Sequence, residues 1–162
     1  MDRPYETAKI ILQNKPDIEI KRIENLVEIS HGLWEGKLEN EIEKQWPELL
    51  RKWHEKPEKV MMPEGECIKE VSERSVKAWG NICLSQKNND LTLLVAHDAV
   101  NKTLICNILG IDYSNIWMIK QGNGGITIID IFKDPKKDNV ISALNITTHL
   151  GGILDSTASG AL

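Results

Sequence analysis

A short, mostly apolar run at residues 91–96 ends at His97, and a segment with helical periodicity follows directly. Apolar side chains recur over 99–109 at the spacing of one helix face, and Gly110 then marks a stop. The pattern predicts a buried strand leading into a helix, with His97 at the carboxyl end of the strand. Ligands bind at that edge of open α/β sheets, and a helix N-terminus favours anions. His97 is therefore a candidate site residue, although a lone histidine there could equally satisfy only a loop carbonyl.

The length and charge of the chain narrow its class of function. The 162 residues fit one domain, which we expect over residues 1–150, with a small polar tail at 151–162. A net charge of −4, with no isolated run of Lys or Arg, disfavours a nucleic-acid partner. The apolar runs are too short to span a bilayer and no signal peptide is visible, so we expect a cytoplasmic protein without a membrane partner. Three widely spaced cysteines indicate reduced thiols.

The remaining periodicities predict a single α/β domain. Predicted helices cover 3–12, two short segments within 38–54 that are broken at Pro47, and a helix of four or five turns over 68–83. Predicted strands, besides 91–96, cover 18–23, 126–132 and 140–144. A parallel sheet of these strands alone would be thin, and no strand precedes the first helix. We therefore expect an α/β fold that lacks its first strand.

Five segments carry a resemblance to a known family. They are Arg3-Pro4-Tyr5-Glu6-Thr7-Ala8, Leu26-Val27-Glu28-Ile29-Ser30-His31-Gly32-Leu33-Trp34-Glu35-Gly36, Pro63-Glu64-Gly65-Glu66, Val95-Ala96-His97 and Asn123-Gly124-Gly125-Ile126. Each motif is weak alone, but their order and spacing resemble the histidine phosphatase superfamily, also called the phosphoglycerate mutase-like family. The resemblance implies a three-layer α/β/α sandwich with a mostly parallel sheet.

The nucleophile of that family is not visible in this sequence. In the family, a histidine within an Arg-His-Gly motif on the first strand attacks phosphorus and becomes a phosphohistidine. No Arg-His-Gly occurs here, since Ser30 precedes His31 and Glu55 follows His54. The resemblance places the nucleophile before the position of Arg3. We therefore expect that this chain is truncated at its N-terminus and that its 162 residues alone do not turn over substrate.

The resemblance assigns roles to other residues of the site. Arg3 would bind phosphate, because its planar guanidinium suits two phosphate oxygens, although it could be an ordinary surface arginine. Glu28 would protonate the leaving alkoxide, a role that requires a carboxyl group kept protonated by burial, although it could be a solvated loop acid. His97 would bind the phosphoryl oxygens and stabilise developing charge. Glu66 and Asn123 are expected at the pocket rim, unless Glu66 instead caps the following helix.

Other polar and aromatic residues have simpler interpretations. Asp98 stands where most relatives have a small residue, and it suits the N-cap position of the helix after His97. Trp34, Trp46 and Trp79 could line a substrate cavity, but their spacing favours packing in the core. No pair of histidines has metal-ligand spacing, and we expect neither a metal nor a cofactor.

Three functions remain open at this stage. The first is hydrolysis of a small phosphorylated metabolite through a phosphohistidine. The second is a phosphoglycerate mutase, an isomerase that would use the same intermediate, and the third is a non-catalytic module that binds phosphoesters. The sequence contains neither a Gly-x-Ser-x-Gly elbow nor a Gly-x-x-x-x-Gly-Lys loop, which disfavours other hydrolase classes.

Overall fold

The structure, a computed structural model, describes residues 2–134 and 136–151. The α-helices, α1 to α5, span Arg3–Ile11, Glu39–Gln45, Pro47–Glu55, Ile68–Ser85 and Asp98–Ile108. The strands, β1 and β2, span Ile126–Asp130 and Val140–Ile146. Short 3₁₀ helices cover Glu24–Leu26, Gly32–Trp34, Pro57–Lys59, Tyr113–Met118 and Thr148–Leu150. The mixed α/β composition that the sequence predicts is confirmed.

The helix boundaries follow the local signals of the sequence. Pro47 opens α3 and separates it from α2, because a proline lacks the N–H that a helix interior requires. The Glu70 carboxylate accepts a hydrogen bond of 2.9 Å from the backbone N–H of Cys67 and so satisfies the start of α4. Gly110 adopts a φ of +66° two residues after α5 ends. The predictions for α1 to α5 are confirmed to within a few residues.

The core lies where α4 packs against α5. Val71 and Val100 are fully buried in it, and the hydroxyl oxygens of Ser75 and Thr103 lie 3.1 Å apart between the two helices. Placing the two hydroxyls together satisfies polar groups that would otherwise be costly to bury. Trp34 is 1% exposed in this core. Trp46 and Trp79 pack against its edge, which confirms the core interpretation of these three tryptophans.

The two strands form an antiparallel hairpin, with Ile126 opposite Ile146 and Ile128 opposite Ala143. The connection between them, residues 131–139, is too short for a parallel crossover, which takes roughly a dozen residues or more. The expectation of a three-layer sandwich with a mostly parallel sheet is not confirmed for residues 2–134 and 136–151, where this antiparallel hairpin is the only sheet.

Two predicted strands are also wrong in the described part of the chain. The N–H of Ile18 donates to the Lys15 carbonyl in a turn, and Ile23 leads into a 3₁₀ helix. The run at 91–96 carries no strand assignment, and Leu91 and Leu93 are 99% and 59% exposed. A strand exists only where a neighbouring backbone takes up its N–H and C=O groups, and apolar periodicity does not supply that neighbour.

The predicted polar tail covers residues 151–162, of which all but Gly151 lie outside the described residues. Among the helices that the structure does describe, none combines the length and apolar character needed to cross a membrane.

Candidate active site

Glu28 and His97 come from distant parts of the chain and meet at the start of α5. Oε2 of Glu28 lies 3.9 Å from Nδ1 of His97, and their side chains are 17% and 9% exposed. Glu28 follows the 3₁₀ helix Glu24–Leu26, and its Oε1 accepts a hydrogen bond of 2.9 Å from the N–H of Ile29. His97 occupies the N-cap position of α5 in an extended conformation. The two site residues that the sequence singled out most strongly thus face each other.

The local electrostatics favour the uncharged form of both groups. Burial raises the pKa of the Glu28 carboxyl, and the negative charge of Asp98 raises it further. The hydrogen bond from Ile29 lowers this pKa, but the net shift is upward. Burial lowers the pKa of His97, and the positive charge of Arg3 lowers it further. The 3.9 Å separation alone would suit an ion pair, but these shifts disfavour one. Desolvation penalises both charges, and the contact lies at the outer limit for an ion pair, so the uncharged pair is favoured.

Arg3 opens α1, where the following Pro4 suits the first turn. The residue is exposed, and its charge is close enough to act on the His97 imidazole. A cation, a neutral imidazole and a carboxyl group of raised pKa therefore share one neighbourhood. This combination can bind an anion and can also donate a proton to it.

Glu66 does not cap α4, contrary to one of its two interpretations. Its Oε2 accepts a hydrogen bond of 3.0 Å from the N–H of Ser30, and its two oxygens receive the guanidinium of Arg74 at 2.8 and 3.0 Å. Glu70 takes up the helix-start N–H instead. The other interpretation of Glu66, at the pocket rim, remains a prediction, although its contact with Ser30 places it beside the loop that carries Glu28.

Asn123, the second predicted rim residue, is exposed in the turn that precedes β1. This turn is held by the side chain of Asn145, whose Oδ1 accepts a hydrogen bond of 2.7 Å from the N–H of Gly122. The rim role of Asn123 remains a prediction.

Arg74 is the residue of this region that sequence reasoning missed. It lies on α4 with a side chain only 17% exposed, and it contacts the backbone of the loop that carries Glu28. The sequence places it three residues after buried Val71, at the flank of the apolar face. An arginine at a helix flank normally extends into water, so its position alone carries no signal for a buried role.

Two glycines let the loop of Glu28 approach the loop 62–66. Gly32 has a φ of +53°, and a Cβ there would collide with the Pro63 carbonyl oxygen. A Cβ on Gly65 would collide with the Ser30 carbonyl oxygen. Backbone hydrogen bonds join the loops directly, from Leu33 N–H to Pro63 and from Glu66 N–H to Ser30. The contact is therefore backbone against backbone, which only glycine permits.

A small cavity adjoins Glu28. It is lined by Glu28, Ile29, His31, Trp53, Asp98, Ala99, Lys102, Ile116 and Trp117. Asp98 is not the N-cap, contrary to expectation, because His97 occupies that position and Asp98 is the first residue of α5. Its Oδ2 instead lies 2.7 Å from Nζ of Lys102 one turn later. The aromatic lining of this cavity comes from Trp53 and Trp117, and not from Trp34, Trp46 or Trp79.

His31 reaches this cavity from the loop of Glu28. Burial lowers the pKa of its imidazole, although the negative charge of Glu28 acts to raise it.

The described residues contain no group of three or more His, Cys, Asp or Glu side chains arranged to hold a metal ion.

This arrangement agrees with the comparison to known families. Residues 1–146 match the model of the histidine phosphatase superfamily (branch 1), and the chain belongs to that superfamily. It is 33% identical over 151 residues to phosphoserine phosphatase 1 of Hydrogenobacter thermophilus, covering 93% of this chain and 69% of that protein. It is 26% identical over 133 residues to 2-carboxy-D-arabinitol-1-phosphatase of Triticum aestivum, covering 82% of this chain and 26% of the relative.

Solved structures show the same fold. Bacillus stearothermophilus YhfR superposes with a TM-score of 0.78 at 26% identity, covering 86% of this chain and 67% of that one. The α-ribazole phosphatase of Shigella flexneri superposes with a TM-score of 0.78 at 22% identity, covering 90% of this chain and 70% of that one. The fold of the described residues is thus that of histidine phosphatase structures.

Proposed function

We propose that this chain forms part of a phosphomonoester hydrolase that acts on a small phosphorylated metabolite. The observation that carries the proposal is the Glu28–His97 contact, in which burial favours a protonated carboxyl beside a neutral imidazole. A protonated acid and a hydrogen-bond donor next to the Arg3 cation are the groups that cleavage of a phosphomonoester requires. The known relatives named above as phosphatases support the same reaction class.

The proposed roles follow from these environments. Arg3 and His97 bind the phosphoryl oxygens and stabilise the charge that develops on them. As the bond from phosphorus to the ester oxygen breaks, Glu28 gives its proton to the departing alkoxide. The resulting Glu28 carboxylate then takes a proton from the water that releases phosphate from the phosphorylated nucleophile, which restores the acid. The phosphoryl group itself is taken up by an imidazole, so the reaction needs no metal-bound water.

We further propose that the nucleophilic histidine, and the strand that carries it, lie outside these 162 residues, as the family resemblance implies. His54 is an exposed residue of α3 near Glu39, and His149 is exposed in the 3₁₀ helix Thr148–Leu150. His31 belongs to the loop of Glu28 and lines the cavity beside it. None of the three follows the Arg-His-Gly pattern that defines the nucleophile of the family.

One experiment tests this proposal. The 162-residue chain and a version extended by the in-frame codons upstream of Met1 are assayed with p-nitrophenyl phosphate and with alkyl phosphates. We expect turnover by the extended protein only, without added metal and unchanged by EDTA. Phosphate release by the mass-verified 162-residue chain, abolished by His97→Ala, would reject the missing nucleophile, and loss of activity in EDTA would reject the imidazole mechanism.

The substrate panel follows from the names of the relatives. It contains O-phosphoserine, 2-carboxy-D-arabinitol 1-phosphate and α-ribazole phosphate, the compounds that the names of similar proteins indicate for those proteins. 3-Phosphoglycerate belongs in the same panel. Its conversion to an isomer without phosphate release would replace the hydrolase with the mutase alternative.

A second candidate function is a non-catalytic module that binds phosphoesters. The observation that favours it is that Arg3, His97 and the N-terminus of α5 are together in this chain without the Arg-His-Gly motif. This function predicts that the 162-residue chain binds vanadate or phosphate, that Arg3→Ala weakens the binding, and that no version of the protein releases phosphate. Turnover by the extended protein would reject it.

A further inference from the structure

The guanidinium group of Arg74 donates hydrogen bonds both to backbone carbonyls and to the carboxylate of Glu66. Nη1 donates to the carbonyl oxygens of Asn25 and Val27 at 3.0 and 2.7 Å, and Nη2 donates to that of Glu28 at 3.1 Å. Nε and Nη2 also donate to the two carboxylate oxygens of Glu66 at 2.8 and 3.0 Å. One side chain on α4 thus holds three carbonyls of the segment that ends at Glu28.

Glu66 holds the same segment from the other side of Glu28. Its Oε2 accepts a hydrogen bond of 3.0 Å from the N–H of Ser30 while it binds Arg74. The backbone is therefore fixed at residue 28 itself by Arg74 and two residues later by Glu66. Leu26 and Ile29 also anchor the segment by burial in the core, whereas Val27 is 48% exposed.

We propose that Arg74, braced by Glu66, is the positioning residue that holds the Glu28 carboxyl against His97. The inference rests on the proposed role of Glu28 as the acid. Rotation of the backbone at residues 27–29 would turn the Glu28 side chain away from His97, because the carboxyl group moves with the backbone that carries it. Catalysis is sensitive to such displacement, since a misplacement of about 1 Å can cost roughly a hundredfold in rate.

The geometry requires an arginine at this position. The guanidinium offers five N–H donors in one plane, which suits three carbonyls and a bidentate carboxylate at once. A lysine would keep the positive charge but would offer a single nitrogen, which cannot serve the same set of acceptors. Arg74→Lys therefore separates positioning from charge, which matters because the charge of Arg74 also lowers the pKa of His97.

The test measures the hydrolysis of two esters by variants of the extended, active protein. The variants include a double-mutant cycle of Glu28 and Arg74. An alkyl phosphate has a poor leaving group that needs the proton of Glu28, whereas p-nitrophenolate departs with little protonation. The variants are Arg74→Lys, Arg74→Gln, Glu28→Gln and Glu28→Gln combined with Arg74→Lys. Arg51→Gln is the matched control, since Arg51 pairs with Glu48 and Glu55 on the exposed face of α3.

We expect Arg74→Lys to lower kcat for the alkyl ester by about ten- to a hundredfold, with a much smaller loss for p-nitrophenyl phosphate. Added to Glu28→Gln, it should cause little further loss, because residues that act as a unit are not additive. Thermal melts of all variants identify any loss of folded protein. If Arg74→Gln does not fold, the positioning role is tested with Arg74→Lys alone.

Two results would overturn the inference. Equal losses on both esters would make Arg74 a general structural residue, and additive losses in the cycle would show that it acts independently of Glu28. If the parent protein hydrolyses neither ester, the proposed function itself is rejected, and the positioning role with it. Hydrolysis by the parent together with equal losses rejects the positioning role alone.

Discussion

Nδ1 of His97 and Oε2 of Glu28 lie 3.9 Å apart, although 69 positions separate the two residues in the sequence (97 − 28). Burial acts on the two groups in opposite directions, raising the pKa of the carboxyl and lowering that of the imidazole. Both shifts favour the uncharged form of the group concerned. The contact therefore joins a carboxyl group of raised pKa and an imidazole of lowered pKa, and the charge balance around it can be tested by substitution.

Replacing Arg3 with alanine should raise the pKa of His97. The positive charge of Arg3 disfavours protonation of the imidazole, second only to burial, so its removal makes the imidazolium easier to form. NMR titration of the His97 ring protons in the 162-residue chain measures the change. Arg51→Ala, which removes an exposed charge on α3, should leave the titration unchanged. An unchanged His97 titration in Arg3→Ala would contradict the placement of Arg3 beside this imidazole.

Glu28→Gln should stabilise the chain at neutral pH. The pKa of Glu28 is raised by folding, so its contribution to stability is fully present below the pKa of the unfolded chain and is lost as the pH rises through the folded value. Glutamine carries no such penalty and can still accept the Ile29 hydrogen bond. Thermal melts at pH 7–8 should therefore favour the variant, and the advantage should vanish in acid. Glu43→Gln, at an exposed residue of α2, is the control; a lower melting temperature for Glu28→Gln at pH 8 would refute the prediction.

Gly32→Ala should be more damaging than Gly36→Ala. Both glycines have positive φ, +53° and +76°, which costs an alanine about 1 kcal/mol. Only at Gly32 would the new Cβ also meet the Pro63 carbonyl, whereas nothing lies within 4 Å at Gly36. Urea denaturation should show a loss of about 1 kcal/mol for Gly36→Ala and at least about twice that for Gly32→Ala. Equal losses would mean that the two loops do not pack closely.

Trp53→Ala should remove a large part of the folding free energy. The side chain is 1% exposed, lies 5.2 Å from the Trp117 ring in an edge-to-face contact, and lines the cavity beside Glu28. Truncating a buried tryptophan costs about 3–5 kcal/mol, which is substantial against a typical stability of about 5–15 kcal/mol. Leu84→Ala, at a residue that is 85% exposed, should change stability by less than about 0.5 kcal/mol. Urea denaturation of both variants measures the difference, and a loss below about 1 kcal/mol for Trp53→Ala would contradict the burial.

The sequence predicted the helices and the two strands of the hairpin. The apolar spacing in 68–83, the break at Pro47 and the stop at Gly110 all act within a few residues, and the structure has helices where they indicate them. The strands at 18–23 and 91–96 were predicted wrongly because a strand depends on a neighbour that may be far away in the sequence. The same reason explains why the direction of the β1–β2 pairing was not foreseen.

The candidate site likewise has features that the sequence indicates and features that only the folded chain shows. Sequence motifs by themselves singled out Glu28, His97 and Arg3 as candidates, through the order and spacing of residue types that resemble the family. Only the tertiary structure decided the contact of Glu28 with His97, the binding of Arg74 to the loop of Glu28, and the pairing of Asp98 with Lys102 in place of a cap. A motif specifies which groups are available, whereas burial, distance and hydrogen-bond partners depend on segments that meet only when the chain folds.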